Sequence, residues 1–297
     1  MPTDAPALWG STRAYKIVRF ILAVLCAVGI GIMLYPMVLR LKFAYESVHL
    51  ADEYKEVVEN TDNGVWEQEW RMAQEYNRAR AYNRTHYVNT IADPFAGDDH
   101  TTQLNDEYWS LVNPLGNGMM GYIDIPRIGQ RLNIYHGTDE DALLLGVGHI
   151  HGTSLPVGGD GTHCVLSGHR GLPGAKILTD LDQMKQGDLM LLHVLNHDLA
   201  YEVDQILEVT PEEISALEIV PNQDLLTLVT CTPYAVNTHR LLARGHSVPY
   251  VETSNPVADG LAWLTPVRIA IILIVSFVVV LGVAYLLRRR KKNPFSS

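Results

Sequence analysis

The chain has 297 residues, of which 47% are hydrophobic, and a formal net charge of −10. This length holds one domain of ordinary size together with additional segments. The acidic balance repels phosphate backbones and anionic lipid surfaces, so it argues against nucleic acid as a partner. The three cysteines, Cys26, Cys164 and Cys231, are too few for a disulfide-stapled secreted domain.

Two apolar runs lie near the ends of the chain. Residues 20–39 and 269–287 contain no charged side chain, and each run is long enough to cross a bilayer core of ~30 Å. We therefore predict a tail at 1–19, a transmembrane helix at 20–39, a second one at 269–287 and a basic tail at 288–297. Lysine and arginine residues flank the runs on the terminal side, which predicts that both termini are cytoplasmic and that the rest of the chain lies outside the cell membrane.

A cleaved signal peptide is the alternative for the first run. Its apolar core is longer than that of a usual signal peptide, and no small-residue cleavage site follows Leu39. The sequence therefore favours an uncleaved anchor.

Residues 40–90 form a segment with helix-like apolar spacing, which is interrupted by the turn sequence from Thr61 to Gly64. We predict two amphipathic helices on the outer side of the membrane. The pattern allows them either to pack against the following domain or to serve as a stalk. Residues 91–107 are a polar loop containing Pro and Gly, which by composition alone resembles an ordinary linker.

Residues 108–254 carry most of the strand signals. Alternating or β-branched apolar runs occur at 121–125, 132–135, 162–166, 188–193, 199–209, 225–231 and 240–243, with short helical patterns at 139–145 and 176–184. Seven or eight short strands with few long helices predict a mainly β fold, a small closed barrel. Residues 255–268 would link the barrel to the second apolar run.

The segment from Thr227 to Gly245 has the pattern of a hairpin, with Cys231 ending one strand and Arg240 starting the next. Directly paired residues project from the same face of a sheet, so a thiol and a guanidinium would share one site. A thiolate can attack a carbonyl, and a fixed cation can stabilise the resulting oxyanion. His169, in a turn flanked by Gly168 and Gly171, is the best candidate for proton transfer near neutral pH.

At these residues the sequence resembles the class C sortases, the pilin-polymerising sortases of Gram-positive bacteria. The hairpin resembles their catalytic segment and the turn around His169 resembles their histidine segment, while Asp93, Pro94 and Phe95 resemble their lid motif. Two residues depart from the family pattern, Ala235 where Gly is usual and Phe95 where Trp is common. Further similarity lies at 146–149 and 152–159.

The resemblance implies a sortase-type β-barrel and a cysteine transpeptidase. Cys231 would be the nucleophile, His169 the general acid and base, and Arg240 the group that holds the oxyanion and positions the substrate. The loop at 91–107 would be a lid whose aspartate faces the catalytic arginine and whose aromatic ring covers the cysteine. The implied partners are pilin subunits with LPxTG-type sorting signals and acceptor lysines, and no cofactor is implied.

Several alternatives stay open at this point. The enzyme could instead anchor surface proteins to peptidoglycan, or the chain could be a non-catalytic envelope scaffold with two spans. Cys164 and Cys231 could form a disulfide, although Cys164 has the pattern of a small buried apolar residue.

Among the other candidates, His239 competes with His169, and Arg170 and Arg244 compete with Arg240. The twelve histidines include neighbours at 149, 151, 163, 193 and 197 but no metal-binding spacing, so we expect no metal.

Overall fold

Eight short strands form one closed barrel in the computed structural model, which describes residues 12–82, Asp93, Phe95, 106–255, 259–261, 268–269, 271–272 and 274–275. The barrel order is β1-β2-β3-β4-β7-β8-β6-β5, with β5 pairing back to β1. The β2–β3 and β4–β7 pairs are parallel and the others antiparallel. The strands are β1 Met119–Ile125, β2 Gln130–His136, β3 Val147–His149, β4 Thr162–Ser167, β5 Leu189–Val194, β6 His197–Val209, β7 Asp224–Thr232 and β8 His239–Val248.

The barrel confirms the predicted mainly β fold, and most strands lie where the alternation predicted them. The exception is β3, which has three residues and is too short to show a period of two. The glycines on either side of Val147 explain how the chain enters this strand. A Cβ at Gly146 would overlap the carbonyl oxygen of Asn133, and a Cβ at Gly148 would overlap that of Gly137.

Within the part of the chain that the structure describes, the α-helices with assigned bounds are α1 Thr12–Asn60, α2 Asn63–Tyr82, α3 Asp106–Ser110 and α4 Glu140–Leu145. Short 3₁₀ helices lie at Pro126–Ile128, Leu181–Gln183 and Ser215–Leu217. The predicted helical turn at 176–184 is thus limited to its second half. The core fills the barrel and extends under α1 and α2.

The first apolar run and the first predicted amphipathic helix form one continuous helix, α1, of 49 residues. Its apolar part is exposed, and within the described residues it is the single helix long and apolar enough to cross a membrane. Most of the second run at 269–287 lies outside the described residues, as do the tails at 1–11 and 288–297.

The C-terminal part of α1 packs against the barrel. Tyr54 is 1% exposed; its hydroxyl donates to the carbonyl of Met120 at 2.9 Å and accepts from the amide of Leu195 at 2.7 Å. In α2, the amide of Asn77 exchanges two hydrogen bonds with the backbone of Leu155. Buried polar groups with fixed backbone partners define one packing arrangement. The helices therefore pack against the domain, and the stalk alternative is wrong.

Candidate active site

Strand register places Cys231 and Arg240 opposite each other. Strands β7 and β8 are antiparallel, and these two residues are direct Cα partners near the end of the ladder. Both are buried, with 7% and 8% of their surface exposed. Because paired residues share a face of the sheet, the thiol and the guanidinium lie on the same side.

His169 reaches the same end of the barrel through the neighbouring strand. Strand β4 runs parallel to β7 with Ser167 opposite Val229, and the amide of Gly168 donates to the carbonyl of Val229 at 3.1 Å. Extending this parallel register two residues beyond the end of β4 would align His169 with Cys231. The ends of β4, β7 and β8 thus bring His169 to the same rim as the hairpin residues Cys231 and Arg240.

The loop residues Asp93 and Phe95 cover this rim. The carboxylate of Asp93 accepts from Arg240 Nε at 2.8 Å and from Arg240 Nη2 at 2.6 Å. The Phe95 ring centroid lies 5.2 Å from Arg240 Cζ and 5.7 Å from the His169 ring centroid. Pro94 lies outside the described residues.

The remaining hydrogen bonds of Arg240 are local. Nη1 donates to the carbonyls of Asn237 at 3.1 Å and His239 at 3.0 Å, so the hairpin loop fixes the guanidinium plane. The two nitrogens that bind Asp93 are the part of the fork that faces away from this loop. If Asp93 departs, these donors become available to another anion.

Comparisons with known proteins identify the family. A family model described as "Sortase domain" matches residues 123–248. A crystal structure of Sortase C from Streptococcus pneumoniae is 39% identical and has a TM-score of 0.57; the match covers 69% of this chain and 100% of that one. The chain belongs to the sortase family.

A crystal structure of sortase C1 from Streptococcus agalactiae is also similar, with 40% identity and a TM-score of 0.59. The match covers 68% of this chain and 100% of that one. Together with the Sortase C structure above, it places this sortase in class C. One curated relative is Sortase D of Bacillus subtilis (strain 168), which is 30% identical over 39% of this chain and 55% of its own length. Another is Sortase A of Streptococcus agalactiae serotype III (strain NEM316), which is 30% identical over 38% of this chain and 47% of its own length. This sortase thus spans about half the length of those two relatives.

Burial shifts the pKa values of two candidate site residues of this sortase, Cys231 and His169, in opposite directions. Burial raises the pKa of the Cys231 thiol, the guanidinium of Arg240 opposes this shift, and the carboxylate of Asp93 adds to it. Burial also lowers the pKa of His169, with partial opposition from the carboxylate of Glu140. A protonated thiol and a neutral imidazole are therefore the resting forms near pH 7.

Arg240 keeps its charge, because the pKa gain from pairing with Asp93 outweighs the effect of burial. The resting site thus contains one compensated ion pair and no free thiolate.

The competing cysteine is separate from the rim. Cys164 is 2% exposed and lies opposite Leu226, five residues before Cys231 on β7. Both cysteines are free thiols, so the disulfide alternative is wrong. Burial holds the pKa of Cys164 well above its usual value, as expected for a small buried apolar residue.

The competing cations and the competing histidine of this sortase have other partners. Arg244 pairs with Asp204 through two bonds of 3.0 and 3.1 Å, and Arg170 pairs with Asp182 at 2.7 Å. His239 begins β8 and bonds its neighbour Thr238 at 2.9 Å, and as the residue before Arg240 it points to the other face of the strand.

The neighbouring histidines mostly serve the core. His149 bonds the Tyr108 hydroxyl at 2.8 Å and the carbonyl of Ser154 at 2.8 Å, and its pKa falls to about 3 because it is buried. His163 bonds the carbonyl of Glu218 and the hydroxyl of Thr227. Across the residues that the structure describes, no group of three potential ligands has the arrangement of a metal site.

Sequence reasoning missed a polar cluster at β1 and β5. The imidazole of His193 lies 2.6 Å from Asp198 and 3.6 Å from Asp124, and Asp124 also binds Arg131 and Asn255. These residues lie on separate strands and in the segment after β8, so no local spacing connects them. The signal that the sequence offered was a charged residue, Asp124, between apolar residues of the predicted strand at 121–125.

Proposed function

We propose that this sortase cleaves an LPxTG-type sorting signal on pilin subunits and joins the subunits through isopeptide bonds to lysine. The observation that carries the proposal is the closed rim, in which Asp93 pairs with Arg240 and Phe95 lies against both Arg240 and His169. The resemblance leads us to expect this arrangement of a class C lid. In this proposal substrate must displace the lid before reaction begins.

The first step forms an acyl enzyme. Once Asp93 leaves, Nε and Nη2 of Arg240 can donate to the oxygen of the scissile carbonyl. Cys231 transfers its proton to His169, and its sulfur attacks the carbonyl carbon between Thr and Gly of the sorting signal. Losing one oxyanion donor typically costs ~2.7–4 kcal/mol of transition-state stabilisation, so Arg240 would account for a large part of the rate.

His169 then protonates the departing glycine amine, which breaks the peptide bond and leaves a thioester on Cys231. In the second step the amine of an acceptor lysine attacks this thioester. His169 accepts the proton from the amine and passes it to the departing sulfur, which restores the thiol and the neutral imidazole of the resting enzyme. A histidine that returns to its neutral form in each half-reaction suits this exchange near pH 7.

The choice of pilin as substrate draws on the structural relatives. The Streptococcus pneumoniae structure is described as giving insight into pilin substrate specificity, and another similar structure is described as a pilus-related Sortase C of Group B Streptococcus. These descriptions concern those proteins. Their sequence identities of 39% and 34% to this chain support a related substrate class here.

The membrane topology is part of the proposal. The apolar part of α1 would span the membrane, residues 269–287 would form a second span, and the barrel would lie outside with both termini in the cytoplasm. The basic residues at 288–292 follow the second apolar run, which supports this orientation. Reporter fusions at the two termini test it, and an extracytoplasmic signal from either terminus contradicts it.

Anchoring of surface proteins to peptidoglycan is the second candidate. It is retained because the curated relatives are named Sortase A and Sortase D rather than sortase C. Offering the acyl enzyme a pilin lysine and a cell-wall amine in competition distinguishes the two. A product formed solely with the cell-wall amine contradicts pilin polymerisation.

Expression of the full chain in membranes with an LPxTG-bearing pilin tests the reaction itself. We expect covalent pilin polymers with the wild-type chain and none with Cys231→Ala. Cys164→Ala is the matched control, because it removes a thiol that lies away from the rim, and its polymers should persist. Polymers formed by the Cys231→Ala chain would refute the assignment and would favour the non-catalytic scaffold for this protein.

A further inference from the structure

Three contacts join the segment that carries His169 to the segment that carries Cys231. The hydroxyl of Thr230 donates to the carbonyl of Gly168 at 2.7 Å, and Arg170 Nη1 donates to the hydroxyl of Thr232 at 3.0 Å. The ring of Tyr234 lies over Gly171, where an added Cβ would come within 2.8 Å of a ring carbon. Residues on both sides of the histidine thus contact residues on both sides of the cysteine.

Arg170 is the polar member of this set that holds several segments together. Its Nε donates to the carbonyl of Thr179 at 3.2 Å, Nη1 to Thr232, and Nη2 to Asp182 at 2.7 Å. Its side chain is 8% exposed, whereas that of Asp182 is 53% exposed. A guanidinium has a rigid planar fork, so three partners in three directions fix its position.

The need for such a link follows from where the sheet ends. Strand β4 stops at Ser167, and the β4–β7 ladder continues through Gly168, so no ladder bond with β7 holds His169 itself. Arg170 is the next residue, and Thr232 follows Cys231 directly. The bond between Arg170 and Thr232 therefore connects the two reactive residues beyond the last ladder bond.

We propose that Arg170 is a positioning residue that, through Thr232, holds the His169 imidazole at a working distance from the Cys231 sulfur. The inference rests on the proposed function and adds to it a residue that acts through others. The partners of Arg170 belong to the barrel domain, whereas Nε and Nη2 of Arg240 pair with Asp93 of the loop at 91–107 and become available when that residue leaves, so the two arginines differ in their place in the reaction. A displacement of about 1 Å in a proton-transfer pair can lower turnover by roughly 100-fold, which gives this bond its importance.

The test compares two substitutions at Thr232 in the full chain, assayed by cleavage of a sorting-signal peptide. Thr232→Val keeps the side-chain volume but removes the acceptor, whereas Thr232→Ser keeps the acceptor and removes a methyl group. We expect Thr232→Val to lower kcat by roughly 10- to 100-fold with KM unchanged, and Thr232→Ser to retain most of the wild-type kcat. In Asp182→Asn the amide oxygen can still accept from Arg170 Nη2, so Arg170 keeps its three partners and this variant should also retain most of the wild-type kcat.

A second readout does not depend on peptide cleavage. The pKa of His169, followed by NMR titration of the full chain, should rise toward its ordinary value in Thr232→Val because a loosened loop admits water. It should stay near the wild-type value in Thr232→Ser and Asp182→Asn.

Equal kcat values for the valine and serine variants, or an unchanged pKa of His169 in the valine variant, would overturn the inference alone. A wild-type chain that fails to cleave any sorting-signal peptide would refute the proposed function, and the NMR titration would then decide the positioning role by itself.

Discussion

Replacing Asp93 with Asn removes the negative charge that faces Arg240 while preserving the size of the side chain. In the closed arrangement the two side chains are 13% and 9% exposed and share bonds of 2.8 and 2.6 Å. An asparagine oxygen can keep one of these bonds as a neutral acceptor, but the other is lost and the remaining one weakens. We therefore expect the lid to open more often in Asp93→Asn.

The magnitude follows from the value of one charge-assisted hydrogen bond. Such a bond contributes about 1.5–3 kcal/mol net, and 1.4 kcal/mol is a factor of ten in an equilibrium constant. Losing it should raise the open fraction by roughly 10- to 150-fold while the closed form still dominates. A reagent that reaches Cys231 through the open form should react faster by the same factor.

The thiol should also become more acidic in this variant. The Asp93 carboxylate raises the pKa of Cys231, whereas Arg240 lowers it. Removing the carboxylate leaves the cation without its partner, so the pKa of Cys231 falls. The midpoint of the alkylation rate against pH should therefore move to lower pH.

Alkylation by iodoacetamide measures both effects in the full chain. A Cys26→Ser background removes the exposed cysteine of α1, and Cys164 should react slowly because it is buried and its pKa is raised. Asp204→Asn is the matched control, because Asp204 binds Arg244 through two bonds in the same geometry, away from the rim. Its alkylation rate should equal that of the background chain.

An Asp93→Asn chain with an alkylation rate and pH midpoint equal to those of the background would refute the reasoning. The ion pair would then have no influence on access to Cys231. Faster alkylation in both Asp93→Asn and Asp204→Asn would refute it as well, because the cause would be a general loosening of the domain.

Three further predictions concern stability. Ala235 has φ +63°, a left-handed conformation that costs an L-residue about 1–2 kcal/mol, so Ala235→Gly should raise the melting temperature or leave it unchanged; a clear decrease contradicts the strain. Burial opposes protonation of His193, but bonds to Asp124 and Asp198 raise its pKa. Its stabilising effect is then full below its unfolded pKa of about 6.5 and is lost as pH rises through the raised folded value, so His193→Gln should destabilise more at pH 5.5 than at pH 8.5 in thermal melts. Tyr54→Phe, which removes two buried hydrogen bonds between α1 and the barrel, should cost about 1–3 kcal/mol in urea unfolding, and an unchanged midpoint would contradict that role.

The local sequence predicted the parts of the fold that depend on period and turn chemistry. The alternation at 121–125 and 225–231 and the break from Thr61 to Gly64 correspond to β1, β7 and the end of α1. The packing of α1 was not predictable, because an amphipathic pattern shows which face is apolar and not what covers it. The strand β3 was not predicted, because three residues are too few to show the alternation of a strand.

The pairing of Cys231 with Arg240 was predictable from the sequence because both belong to one hairpin, whose turn length limits the possible registers. The role of His169 could be inferred from its chemistry and from the resemblance, but the local sequence did not fix its distance from Cys231. Its place beside Cys231 follows from the parallel register of β4 and β7, which joins segments about 60 residues apart.

The amino-acid sequence by itself determined the apolar runs, the mainly β fold and the chemical types of the candidate site residues, because these depend on neighbours along the chain. Tertiary structure decided that Asp93 meets Arg240 across 147 residues, that Arg170 meets Thr232 across 62, and that His193 lies between two carboxylates. Contacts of this kind depend on how the barrel closes, and closure brings together side chains whose spacing along the chain carries no periodic signal.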